Sequence, residues 1–204
     1  MPEKGSVMPE RPFQLAVIVG SVRQGRLGPT VANWFAGQAR LRDDIRVDVV
    51  DLADVPLPTA LPAFGEVPVP ETARVLAALT PRLDAADAFA VVTPEYNHSF
   101  PASLKNAIDW HFTQWQAKPV GFVSYGGLAG GLRAVEQLRA VFAELHAVTV
   151  RDTVSFHKAW ERFGPDGLPK DPEGCNSAAK VMLDQLAWWS HALREARARR
   201  PYAG

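Results

Sequence analysis

The sequence predicts a doubly wound α/β fold of three layers, a parallel sheet held between two sets of helices. Three observations point there. Five short runs rich in Val, Ile and Phe alternate with stretches of helical periodicity. The runs opening near positions 15, 88 and 119 are apolar almost without interruption, the pattern of strands covered on both faces, as in parallel sheets. The composition, 47% apolar and 22% charged over 204 residues, is that of an ordinary soluble domain, long enough to bury roughly 70% of its unfolded surface.

The elements follow in order. LAVIVG (15–20) reads as the first strand, followed by a helix starting at about Pro29 and carrying Val31, Trp34, Phe35 and Gln38. RVDVVDL (46–52) is the second strand; a proline-rich connection, VPLPTALPAFGEVPVP, leads to a helix near 71–84. AFAVVTPEY (88–96) is the third, and Pro101 suits the first turn of the helix behind it. PVGFVSYGG (119–127) precedes a helix striped by Val135, Leu138, Phe142 and Leu145, spaced three and four apart. HAVTVRDTVSF (146–156) is the fifth strand, and Met182, Leu186, Trp189 and Leu193 stripe the last helix. Five β-α units with right-handed crossovers and no dinucleotide fingerprint favour the flavodoxin-like fold, a five-stranded sheet in the order 2-1-3-4-5. The reading is one domain over 13–199, with flexible tails at 1–12 and 200–204. The segment 157–175 is longer than the usual connection of roughly 4–6 residues, and a lid, a dimer arm and disorder all remain open for it.

Charge excludes several function classes. Twenty-two basic and 22 acidic residues cancel, so no long-range field draws the chain to nucleic acid or to an anionic membrane. The single cysteine, Cys175, cannot close an internal disulfide, and no Cys/His cluster has zinc-ligand spacing. The opening MPEKGSVMPERPF has charges and prolines where an export signal needs an apolar core. The expectation is a cytoplasmic protein.

In such a fold, ligands sit beyond the carboxyl ends of the strands beside strand 1. Three loops meet there. The first runs from Gly20 through Ser21, Arg23, Arg26, Leu27 and Gly28 to Pro29. A helix start attracts anions through its free N–H groups and dipole, and the hydroxyl and two guanidinium groups add to that. Gly20 and Gly25 have Walker spacing, but Arg26-Leu27 stands where a Walker loop needs Lys-Ser/Thr. The second loop, Pro94-Glu95-Tyr96-Asn97-His98-Ser99-Phe100-Pro101, is stiffened by proline at both sides and offers backbone groups to a planar heterocycle. Glu95 reads as a solvated carboxylate rather than a general base, and His98 as a helix cap rather than a catalyst. The third, Ser124-Tyr125-Gly126-Gly127-Leu128-Ala129-Gly130-Gly131, clears side chains from a place where something approaches the main chain.

Together the G-S-x-R opening, the P-E-Y-N-H-S-F-P-A-S-L-K-N-A-I-D-W block (94–110) and the S-Y-G-G-x-x-G-G turn closely resemble the NADPH-dependent FMN reductase family, over roughly residues 13–156. The resemblance implies non-covalent FMN, NADPH as co-substrate, and a homodimer or homotetramer. It places Ser21, Arg23, Arg26, Leu27 and Gly28 at the FMN phosphate. Pro94, Glu95, Tyr96 and Asn97 would line the ribityl chain and ring, and Ser124, Tyr125, Gly126 and Gly127 the other ring edge. Many members carry Ser or Thr where this chain has Arg26, so Arg26 has two destinations, the FMN phosphate or the extra phosphate of NADPH.

The activity implied is electron transfer from NADPH through FMN to a small acceptor such as a flavin, quinone, azo compound or metal oxyanion. The Gly126, Gly127 and Asn97 amides would meet the negative charge of the reduced ring. No side chain is assigned as catalytic acid or base. The alternatives are a flavodoxin-type electron carrier, a non-catalytic flavin-binding module and, last, a phosphate-ester hydrolase. Trp110, Trp115, Trp188 and Trp189 either complete the core or form an apolar patch for a second subunit.

Overall fold

The computed structural model describes residues 11–63 and 65–203. Most of the expected N-terminal tail, together with Phe64 and Gly204, lies outside the described residues. Strands β1 (Phe13–Val19), β2 (Ile45–Asp51), β3 (Ala88–Pro94) and β4 (Pro119–Tyr125) are all parallel. They stand in the order β2-β1-β3-β4, and the fifth position is shared by β5 (Val148–Thr149) and β6 (Val154–Phe156), each paired parallel to β4. The fold is flavodoxin-like, as the alternation and the apolar runs predict.

The fifth strand differs from expectation in being split. Between its halves the chain bends at Val150 and Arg151, whose carbonyls accept from the Arg139 guanidinium at 2.7 and 2.9 Å. Those carbonyls therefore bond a side chain instead of a neighbouring strand. The last helix also differs: it begins at Pro172, inside the segment read as loop. Asp171 caps it by accepting from the Gly174 N–H at 3.0 Å.

Side-chain alternation sorts each central strand between two cores. Phe13, Leu15, Val17 and Val19 of β1, with Ala88, Ala90 and Val92 of β3, face α1 (Gly28–Arg40) and α5 (Pro172–Arg199). Ala16 and Ile18, with Phe89 and Val91, face α2 (Pro70–Ala85), α3 (Ala102–Asp109) and α4 (Leu132–Glu144). Every residue of β3 and β4 is buried, whereas the edge strand β2 is mostly half-exposed, which is why β2 alternates in sequence and the central strands do not. Trp115 sits in the second core against Phe89 and Phe142, whereas Trp188 is 65% exposed on α5. Of the expected C-terminal tail, Tyr202 rests on His146, phenol oxygen to Nδ1 at 2.8 Å. Among the described residues no helix is long and apolar enough to cross a membrane.

Candidate functional site

Parallel register brings the three loops to one edge. Val19 pairs with Val92, Thr93 with Ser124 and Pro94 with Tyr125, so β1, β3 and β4 end side by side. Hydrogen bonds then tie each loop to the next. The Gly20 N–H donates to Val92 O at 2.9 Å, the Glu95 N–H to Tyr125 O at 3.1 Å, and the Ser103 hydroxyl to Gly20 O at 2.6 Å.

The first loop closes on itself before entering α1. The Tyr125 hydroxyl donates to the buried Ser21 hydroxyl at 3.0 Å, so Ser21 is turned inward beneath the loop. Burial pushes the Tyr125 phenol up to about 12 and keeps it a donor at neutral pH. A Cβ on Gly28 would lie 2.4 Å from Ser21 Oγ and 2.9 Å from the Tyr125 hydroxyl, so the helix can start there only on glycine. Its first turn has no side-chain cap, and Pro29 supplies no N–H.

The two arginines separate. Arg26 binds both carboxylate oxygens of Asp51 at 2.7 and 2.8 Å and the Ser21 carbonyl at 2.8 Å. Its pKa is raised chiefly by that carboxylate, against the opposing effect of burial. The Arg26 side chain is thus engaged within the protein, by Asp51 and the Ser21 carbonyl. Arg23 is exposed and enters no ion pair among the described residues.

The second loop is a tight reversal. Tyr96 and Ser99 exchange backbone hydrogen bonds at 2.8 and 3.0 Å across Asn97 and His98, whose φ values are 50° and 69°. Two left-handed central residues make this a type I′ turn, a conformation that costs any side chain something, Asn and His less than most. Two readings of the sequence are corrected here. Glu95 is not solvated: its side chain is only 10% exposed and pairs with Arg133 at 2.8 Å. His98 caps nothing, since α3 is entered from Pro101 without a side-chain cap; it lies exposed at the turn's tip, its carbonyl accepting from Gln137.

The third loop is braced from within. Ser124 and Tyr125 point inward, Ser124 donating to the Gly130 carbonyl at 2.9 Å, so they support the turn from below. The Gly126 N–H donates to Phe156 O at 3.1 Å and is not free to meet a developing charge. Gly131, at φ 89°, could not carry a Cβ, which would lie 2.8 Å from the Tyr125 backbone nitrogen.

The structure adds Asp51, Ser103, Arg133, Gln137 and the segment from His157 to the residues the sequence points to. Asp51 alone carried a signal, standing at the carboxyl end of β2 in register with Val19. No group of His, Cys, Asp and Glu among the described residues could hold a metal ion. The residues fit a phosphorylated planar cofactor: an uncapped helix start and an exposed guanidinium with no ion pair among the described residues at one end, a glycine-rich turn at the other.

A family model described as NADPH-dependent FMN reductase matches residues 13–161. A Schizosaccharomyces pombe protein described as an NAD(P)H-dependent FMN reductase is 39% identical over 123 residues, 58% of this chain and 60% of that protein. The aligned region therefore spans less than two thirds of that relative. An NAD(P)H:quinone oxidoreductase of Solanum tuberosum is 32% identical over 183 residues, 84% of this chain and 90% of its own. Among solved structures, a flavoenzyme NAD(P)H:(acceptor) oxidoreductase from Paracoccus denitrificans superposes with a TM-score of 0.69 at 23% identity, over 88% of this chain and 98% of that one. That likeness concerns the fold.

Proposed function

The chain belongs to the NADPH-dependent FMN reductase family, and we propose that it binds FMN non-covalently and uses NADPH to reduce a small acceptor. The acceptor classes are quinones, azo compounds, free flavins and metal oxyanions. The observation that carries this reading is the convergence of three loops on one rim, with Arg23 exposed and in no ion pair among the described residues at one end and the Gly126–Gly127 turn at the other.

Arg23 and the backbone of Ser21, Arg26, Leu27 and Gly28 would hold the phosphate, the guanidinium as a fork and the helix start as a set of aligned N–H donors. Arg26 contributes by pinning the loop through Asp51 rather than by touching the ligand. Pro94, Glu95, Tyr96 and Asn97 would line the ribityl chain and one ring edge, with Glu95 held in place by Arg133. Ser124, Tyr125 and Gly126 would support the other edge from beneath, leaving Gly127 in contact. Bound FMN would supply the two-electron chemistry, taking a hydride from NADPH and passing two electrons and a proton onward. The protein would orient both partners, and the Gly127 and Asn97 amides would meet negative charge on the ring. A general acid or base is not required for hydride transfer.

The same reading includes a single domain over 13–199, a cytoplasmic location and a homodimer or homotetramer. Support for assembly comes from Trp188 and Phe112, which are 65% and 52% exposed. Light scattering after size exclusion tests it.

The activity is tested by incubating the purified chain with FMN, removing the excess and recording the visible spectrum, then adding NADPH without oxygen. Retained yellow colour that bleaches with NADPH is the expected result. Colour that stays after NADPH indicates a carrier, and a colourless protein has no flavin site.

A further inference from the structure

The segment after β6 is bound tightly to the glycine turn. Lys158 N–H donates to Gly127 O at 2.8 Å and Ala159 N–H to Gly126 O at 3.0 Å, while a His157 ring nitrogen lies 3.0 Å from Leu128 O. Lys158 adopts φ 48°, ψ 52°, a left-handed conformation unfavourable for a side chain of its size. That bend folds a short 3-10 turn, Ala159–Glu161, back over Gly126 and Gly127. Ala159 enters the core at 3% exposure, and its neighbour Trp160 is left 69% exposed.

The indole is not loose. Its six-membered ring would lie 3.5 Å from a Cβ placed on Gly127, so it rests on a backbone that glycine leaves bare. The Glu161 carboxylate accepts from the indole N–H at 3.2 Å, which fixes the ring's rotation. A strained backbone, a bare glycine and a bound N–H together hold the largest apolar side chain of the segment against the glycine turn. Packing does not require this, because the core is closed by Ala159 and Phe156. Strain maintained by its surroundings is characteristic of functional sites.

We propose that Trp160 is the stacking face for a planar aromatic electron acceptor of the quinone class. The inference rests on the flavin reading above, which puts the ring edge at Gly127. An indole is electron-rich and a quinone electron-poor, so offset stacking favours the pair, whereas a compact metal complex or oxyanion gains nothing from a flat face. Trp160 would thus act on acceptor choice without touching the transferred electrons.

The test uses the FMN-loaded protein with NADPH and two acceptors, 1,4-naphthoquinone and ferricyanide. For W160A the KM for naphthoquinone should rise roughly tenfold at nearly constant kcat, the scale of one aromatic stack. KM values for ferricyanide and NADPH should stay put, and W160F should recover most of the loss. An independent readout is the indole N–H resonance of Trp160, identified by its absence from W160F, which should shift when naphthoquinone is added to the oxidised protein without NADPH. An unmoved resonance, equal losses with both acceptors, or a W160F as impaired as W160A each overturns the proposal. If the protein binds FMN and is bleached by NADPH, such a result leaves the flavin reading standing; a wild-type chain that binds no FMN removes both.

Discussion

Arg26 and Asp51 are locked in a two-pronged ion pair, 2.7 and 2.8 Å, across the mouth of the first loop. The same guanidinium holds the Ser21 carbonyl at 2.8 Å, so one side chain joins both ends of the turn to the edge strand. Asp51 also accepts from the Ala53 N–H at 3.0 Å, which ties the end of β2 into the same clamp.

Asp51→Ala should therefore act on the empty protein. It strips a half-buried guanidinium of its partner, and hydrogen bonds to charged groups contribute about 1.5–3 kcal/mol. Denaturant unfolding of the flavin-free variant should show a loss of this order. An unchanged midpoint would mean that the clamp adds no stability.

Arg23→Ala should do the reverse. With no ion pair of its own among the described residues, its removal should leave flavin-free stability within about 0.5 kcal/mol of wild type. It should weaken FMN binding by about 1–3 kcal/mol, read as quenching of flavin fluorescence. Equal affinities would take Arg23 out of the phosphate site.

Gly28→Ala should damage both. Its methyl would lie 2.4 Å from Ser21 Oγ, a hydroxyl buried beneath the loop with no room to retreat. The expectation is a destabilisation of about 1–3 kcal/mol together with lost flavin affinity. Wild-type behaviour would show that the loop can relax.

His98→Gly should be mildly stabilising, because φ 69° costs glycine little and the His98 side chain caps nothing. A gain of up to about 1 kcal/mol would raise Tm by roughly 2–4 °C in a domain of this size. A fall in Tm would reveal a contact made by the imidazole.

Lys118 gives the pH dependence. Burial pulls its ammonium from 10.5 down to about 8, while Nζ donates to the Leu83 and Asp84 carbonyls. Between those two values the unfolded chain holds a proton that the folded chain has released, so unfolding free energy should rise with pH across that window and be lowest below it. Lys118→Met should flatten this slope in denaturation series run at several pH values between 8 and 10.5. Parallel slopes would assign the effect to another group.

The first-order architecture was legible because it follows from local patterning. Unbroken apolar runs at β1, β3 and β4 indicate strands covered on both faces, and the three-and-four spacing of Val135, Leu138 and Phe142 indicates a helix laid on them. The split of the fifth strand was not legible, since it turns on Arg139 reaching carbonyls eleven and twelve residues along the chain. The 157–175 segment was equally opaque: backbone bonds to Gly126 and Gly127 order it, and backbone groups have no residue-specific spelling.

The chain's order of residues determined, on its own, which three loops meet and what types of group they bring. Parallel strands joined by helical crossovers deliver their carboxyl ends to one edge whatever the side chains do afterwards. Tertiary structure alone decided how those groups are used: Arg26 turned to Asp51, Glu95 to Arg133, Tyr125 under Ser21, and Arg23 left facing water. A charge or a hydroxyl takes the nearest well-aligned partner, and the nearest partner of Arg26 lies twenty-five positions away in sequence and 2.7 Å away in space.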